Sequence, residues 1–270
     1  MGVRADLRCS VVTLFITVVA GVYGLVVGSF LNVVIWRVPR HESIVKPRSH
    51  CPACATQLTT RDNIPVASWL ILRGRCRYCG ERISIRYPLI EILTGVMFAA
   101  VGARFSHSWA LPAFLVLTAA LIAISAIDLE HFIIPNRIVY PVGYASVVLL
   151  AFAALMEKDW TPFGRCLLGG LAAFTFFFLL HLVAPGGMGF GDVRLSFILG
   201  MFLGWLGWAY VLGGLFAGFL YGAVIGMVLI VVGRRGRRQH IPFGPFLAAG
   251  TMTFVLFGEQ LVNWWHGLGR

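Results

Sequence analysis

The sequence predicts an all-α polytopic membrane protein of about eight transmembrane helices, interrupted once by a small soluble insertion. Three observations carry that expectation. Of 270 residues, 59% are hydrophobic and only 12% are charged, with a mean hydropathy of +0.84, whereas soluble domains carry about 25% charge. The apolar residues fall into runs close to the roughly 20 residues that cross a bilayer. The charge that remains lies between those runs, much of it in one basic stretch, 36–87.

The first run covers 11–35 and is uncharged. Arg4 and Arg8 before it would suit the basic start of a signal peptide. Its apolar part is too long for one, however, and no small-residue cleavage site ends it. Residues 1–35 therefore read as a first membrane helix. Residues 36–87 carry ten Lys/Arg against Glu42, Asp62 and Glu81. That imbalance places the stretch in the cytoplasm by the positive-inside rule, which is weaker for long loops; Arg4 and Arg8 pull the other way. The later runs are 88–103, 111–127, 138–156, 163–184, 193–208, 209–232 and 243–264, so residues 88–270 read as a seven-helix core. Alternation from a cytoplasmic 36–87 puts 128–137 and 185–192 on the cytoplasmic side. The arginine run at 234–238 falls there too, as a topology anchor or a lipid headgroup contact. The net charge of +11 raises nucleic acid as a partner, but basic residues confined to loops between membrane runs point to the lipid bilayer and not to nucleic acid. Gly200/Gly204, Gly214/Gly218, Gly218/Gly222 and Gly222/Gly226 are small-xxx-small pairs suited to close helix packing.

Within the basic stretch stand Cys51-Pro-Ala-Cys54 and Cys76-Arg-Tyr-Cys79. Two C-x2-C turns at this separation match four-thiolate zinc sites, each turn aiming two sulfurs at one ion. The alternatives are a pair of disulfides or four buried thiols, and a cytoplasmic setting disfavours disulfides. The insertion thus reads as a zinc-ribbon-like cytoplasmic domain with structural Zn2+ on Cys51, Cys54, Cys76 and Cys79. Cys9 and Cys166 fall outside the pattern as packed thiols.

Two acids stand at the ends of membrane runs. Asp192 closes Gly186-Gly187-Met188-Gly189-Phe190-Gly191-Asp192, and Asp128 follows the run 111–127. Carboxylates at such depth are costly unless buried, paired or wet, which marks them as functional. Gly189 and Gly191 permit the bend that presents Asp192. A close pair would share a proton, one member activating water while the other polarises a carbonyl, as in aspartic proteases. The residues alone leave two further readings open: ion coupling in a transporter and plain helix capping. Glu91 reads as the partner of a loop arginine such as Arg86, or as part of the active cavity. Glu130 points about 200° away from Asp128 on a helix, and His181 reads as a hydrogen-bonded core residue.

Several blocks now appear in order: Gly28-Ser-Phe-Leu-Asn-Val-Val-Ile-Trp-Arg-Val-Pro39, the two cysteine turns, Asn63-Ile-Pro-Val-Ala-Ser-Trp-Leu70, Ile83-Ser-Ile-Arg-Tyr-Pro-Leu-Ile-Glu91, Asp128 with Ile134-Pro-Asn136, Gly189-Phe-Gly-Asp192 and Ile241-Pro-Phe-Gly-Pro-Phe246. On these the chain resembles the bacterial type IV prepilin peptidases, over almost its whole length. The resemblance implies an intramembrane aspartic endopeptidase of the bacterial inner membrane, with Asp128 and Asp192 catalytic and facing the cytoplasm. Its substrates would be prepilins or type II secretion pseudopilins, cut after a glycine between a short basic leader and an apolar helix. It further implies methylation of the new N-terminal amine with S-adenosylmethionine. Some relatives are peptidases only, and retention of the cysteine loop favours the bifunctional form. No glycine-rich dinucleotide-type fingerprint is present, so the methyl-donor site is left without residues.

Overall fold

The structure is a computed structural model that describes residues 2–183, 188–232 and 242–268. Gly186, Gly187 and the arginine run 234–238 lie outside the described residues, as does the side chain of Cys9. Described residues form helices and loops, and strand pairing is limited to two isolated bridges. In chain order the helices are α1 (Gly2–Arg37), α2 (Ala67–Ile71), α3 (Arg86–Arg104), α4 (Leu111–His131), α5 (Asn136–Glu157), α6 (Thr161–Val183), α7 (Phe190–Leu206), α8 (Trp208–Val231) and α9 (Gly244–Leu268). The polar residues before position 11 do not delay α1, which runs unbroken from Gly2.

Seven of these helices are long and apolar enough to cross a membrane: α1, α3, α4, α5, α6, α8 and α9. The chain is thus a multi-pass membrane protein. α7 departs from that pattern, since its 17 residues reach only about 26 Å at 1.5 Å per residue. It is apolar on every side and buried along most of its length, with Leu195, Leu199, Met201, Phe202 and Leu203 almost fully enclosed. That is the behaviour of an all-round apolar helix wrapped by neighbours, here α6 above all, then α8, α9 and α5.

The chain divides into two compact units, Met1–Leu111 and Pro112–Arg270, so α3 packs in the first unit with α1, one helix beyond the boundary that composition marks at residue 88. Small residues allow that pairing. A Cβ on Gly28 would stand 2.7 Å from the Glu91 Cα, and one on Gly24 would stand 2.7 Å from the Thr94 carbonyl oxygen. In the second unit α7 approaches α6 through Gly200 and Gly204 against Gly169, and α8 approaches α9 through Gly214 and Gly218 against Gly250. Backbones in such contact gain dispersion energy without a hydrophobic driving force, which is how helices associate in lipid.

Candidate active site and metal centre

Asp128 sits in the last turn of α4, whose end is closed by Phe132 in the left-handed region (φ 56°), its N–H donating to the Asp128 carbonyl. Asp192 sits in the first turn of α7, behind the extended cap residue Gly189 (φ −69°, ψ 142°). The two carboxyl groups are buried, at 4% and 7% exposure, and one side chain, Ile134, touches both Gly191 beside Asp192 and Gly244, whose N–H meets Asp128. The carboxyl groups differ in their partners. One oxygen of Asp128, Oδ2, accepts the Gly244 N–H at 3.0 Å. Oδ1 of Asp192 is buried with no hydrogen-bond partner among the described residues. A buried carboxylate oxygen without a donor costs free energy, so its retention points to a ligand or water that it is kept to meet.

The backbone around the pair is held by small residues and one wedge. Ile134 lies against Gly191 at the start of α7 and against Gly244 at the start of α9. A Cβ on Gly191 would stand 2.9 Å from the Ile134 Cβ, and one on Gly244 would stand 2.8 Å from Asp128 Oδ2. Arg194 adds a second tie: its guanidinium donates to the Asn136 side-chain oxygen at the head of α5 and lies 4.6 Å from the Phe190 ring centre. His181 keeps the approach to α7 in place through Nδ1, 3.0 Å from the Met188 carbonyl. The two aspartates singled out in the sequence are therefore brought together, with Gly189 as the cap and Gly191 at the wedge. Gly244 was not singled out. It lies inside the block 241–246, but a glycine N–H has no residue-type signature in a sequence. Glu130 is exposed beside His131. Glu91 belongs to the first unit, where its Oε2 accepts the Val66 N–H at 2.7 Å.

The cysteine loop is built from one turn used twice. Cys51 N–H donates to the Thr56 carbonyl and Cys76 N–H to the Glu81 carbonyl. Ala55 N–H returns to Cys51, and Gly80 N–H to Cys76. Ala55 and Gly80 both take positive φ (55° and 73°), and each turn is closed by an antiparallel bridge, His50 with Gln57 and Arg75 with Arg82. The four Sγ atoms lie within 4.8 Å of one another, with Cys51 and Cys79 at 3.8 Å. Zn–S bonds of about 2.3 Å place tetrahedral sulfurs about 3.8 Å apart, so the donor set fits that ion. Thr56, through its hydroxyl and amide, holds Cys54 down at about 6, and the Cys79 and Tyr78 amides lower Cys76. Cys79 moves the other way, to about 12: the Glu81 amide hydrogen bond lowers it, but desolvation within the turn and the Cys76, Cys54 and Cys51 sulfurs together outweigh that. Thiolates that resist sharing one space with no cation are what a metal centre collects. Asp62 staples the second turn: Oδ1 accepts from Arg77 Nε at 2.7 Å, and Oδ2 accepts from the Thr59 hydroxyl and amide.

Fold and site together define a polytopic membrane protein with a buried carboxylate pair and a separate four-cysteine loop. Two family models match, one described as "Bacterial Peptidase A24 N-terminal domain" over residues 22–105 and one as "Type IV leader peptidase family" over residues 115–231. Among relatives, the "Prepilin leader peptidase/N-methyltransferase" of Bacillus subtilis is 35% identical, covering 90% of this chain and 95% of that protein. The proteins of the same name from Neisseria gonorrhoeae (34% identical, 95% and 96% covered) and Myxococcus xanthus (43%, 81% and 65%) are similar as well. No solved structure gives a significant match. The chain belongs to the prepilin leader peptidase/N-methyltransferase family.

Proposed function

We propose that this chain is an aspartic endopeptidase that removes the basic leader from prepilins or pseudopilins and methylates the N-terminus so exposed. Family membership supports both activities. The observation that carries the first is the buried Asp128–Asp192 pair, one oxygen of which has no hydrogen-bond partner among the described residues. Two carboxyl groups brought close together share one proton and titrate as a unit. One then takes a proton from water while the other donates to the scissile carbonyl oxygen, and the roles reverse as the amine leaves. The Gly244 N–H, at the start of α9, fixes Asp128 for that exchange, and Gly189 and Gly191 let α7 present Asp192.

The Cys51, Cys54, Cys76 and Cys79 set would hold a structural zinc ion, supplying folding energy to residues that lack a large apolar core. S-adenosylmethionine is proposed as the methyl donor, with no residues assigned to it. The protein would lie in the bacterial inner membrane with the cysteine loop and the Asp pair towards the cytoplasm, where a leader is cut at its helix boundary. Co-expression with a prepilin tests the proposal. A leader-sized mobility shift on a gel, followed by mass spectrometry of the new N-terminus, reports cleavage and methylation together. An uncut substrate at normal enzyme level would overturn it in favour of a transporter or a scaffold.

A further inference from the structure

The basic loop 36–87 has several of its cations satisfied internally. Arg37 is buried and donates to the Ser43 and Pro47 carbonyls, Arg40 stacks 3.6 Å over the Trp36 ring, and Arg77 pairs with Asp62. Arg75 and Arg82 are different. They face each other across the antiparallel bridge that closes the second cysteine turn, both exposed, and neither makes an ion pair among the described residues. Like charges set directly opposite on a bridge destabilise it, so this arrangement calls for an external anion.

The neighbouring surface is apolar. Leu70 and Ile71, at the end of α2, are 61% and 74% exposed, and Ile64 and Ile85 are also open. Their height is fixed by hydrogen bonds. Val66 N–H donates to Glu91, five residues inside the candidate membrane span Arg86–Arg104 and so about 7.5 Å along it at 1.5 Å per residue. Trp69 Nε1 donates to the Ile83 carbonyl, tying α2 to the segment that leads into α3. That 19-residue span is about 28 Å long at 1.5 Å per residue, close to the roughly 30 Å of hydrocarbon, so its first residues mark the membrane boundary and the Val66 contact holds the start of α2 at or just below it. Val66 holds φ 61° at this point, a costly conformation for a β-branched residue, within a tight turn that Ala67 N–H closes on the Pro65 carbonyl.

We infer that the cysteine loop is also a membrane-surface module: Arg75 and Arg82 bind anionic phospholipid headgroups while Leu70 and Ile71 enter the interface of the same bilayer. The exposed aliphatic pair is what distinguishes a lipid surface from a soluble anion as the partner. A basic leader peptide is excluded as occupant by charge. The loop is thereby held down against the bilayer, and its order depends on lipid charge.

Hydrogen–deuterium exchange on the full-length protein in nanodiscs tests this. Amides of residues 67–75 and 82–85 are expected to exchange roughly tenfold more slowly in discs with phosphatidylglycerol than in pure phosphatidylcholine discs, given two arginines near the surface. Arg75→Gln/Arg82→Gln should erase that difference, and inorganic phosphate added to phosphatidylcholine discs should not reproduce it. Equal exchange of the unaltered protein in the two bilayers would overturn the inference, as would slowing by phosphate alone. The comparison of the unaltered protein decides even if the double variant disturbs the turn.

Discussion

Asp128, Asp192 and Gly244 come from three helices spread over residues 128–244, whereas the four cysteines come from one turn used twice within residues 51–79. The carboxylate pair is held by close packing, with glycines on α7 and α9 where a methyl group would strike Ile134 or Asp128 itself. The cysteine turns are held by their own short-range hydrogen bonds, by the Asp62 staple and by the proposed ion. One site therefore depends on the whole second unit being assembled, and the other depends on local chemistry that a metal completes. Damage should propagate differently in the two: steric changes are severe at the first, and loss of a ligand is severe at the second.

The largest effect is expected at the pair. Asp128→Asn and Asp192→Asn should each lower cleavage by at least about 10³-fold, and the double variant should be no worse, because residues acting as a unit are not additive. The wild-type rate should trace a bell against pH that belongs to the pair. Normal turnover in either single variant at normal protein level would remove the assignment. Next comes Gly244→Ala. Its Cβ would stand 2.8 Å from Asp128 Oδ2, and misplacement on that scale costs about 10²-fold in kcat. KM should change little, since no substrate contact is removed. A Gly244→Ala enzyme with wild-type kcat would show that the α9 amide does not position the pair.

These two predictions separate what a sequence reading reaches from what it misses. The apolar runs, the paired C-x2-C turns and two isolated acids at helix ends are each visible as residue types at given spacings. Gly244 is not, because its contribution is a backbone amide brought 116 residues along the chain to Asp128, and neither is the Ile134 wedge. Glu91 illustrates the same limit, since the sequence offers it a loop arginine and the fold gives it the Val66 amide. α7 was legible as an apolar run but not as the enclosed helix of its unit, because a continuous apolar stretch looks the same whether lipid or protein surrounds it.

At the cysteine loop the ordering of effects reverses. Any one of Cys51→Ser, Cys54→Ser, Cys76→Ser and Cys79→Ser should take zinc from about one per chain to near none and unfold the loop, since the ion supplies most of its folding energy. Cleavage should suffer less than methylation, with the α4–α9 bundle persisting on its own packing. Stoichiometric zinc in purified Cys76→Ser, or four variants with unrelated behaviour, would break the shared site.

The smallest effect belongs to Asp62. Burial against Thr59 and Arg77 leaves its side chain only 2% exposed, and the Thr59 hydroxyl, then the Arg77 guanidinium, lower its carboxyl from the ordinary 3.8 to about 2. A carboxyl depressed on folding contributes stability that is fully present above its unfolded value and is lost as pH falls from about 4 towards 2. Over the range where thiolates hold a metal, the staple is therefore fully ionised and its contribution is constant. Asp62→Asn removes the ion pair and weakens the Thr59 cap, and because Arg77 is half exposed the loss is modest, on the order of two- to fivefold in the rate at which a chelator withdraws zinc. The ratio of that rate in Asp62→Asn to the rate in the wild type should be the same at pH 6 and pH 8, although both rates rise with acidity as the cysteines protonate. A ratio that moved between those two pH values would mean that something other than a fully ionised Asp62 ties the second cysteine turn to the segment before α2.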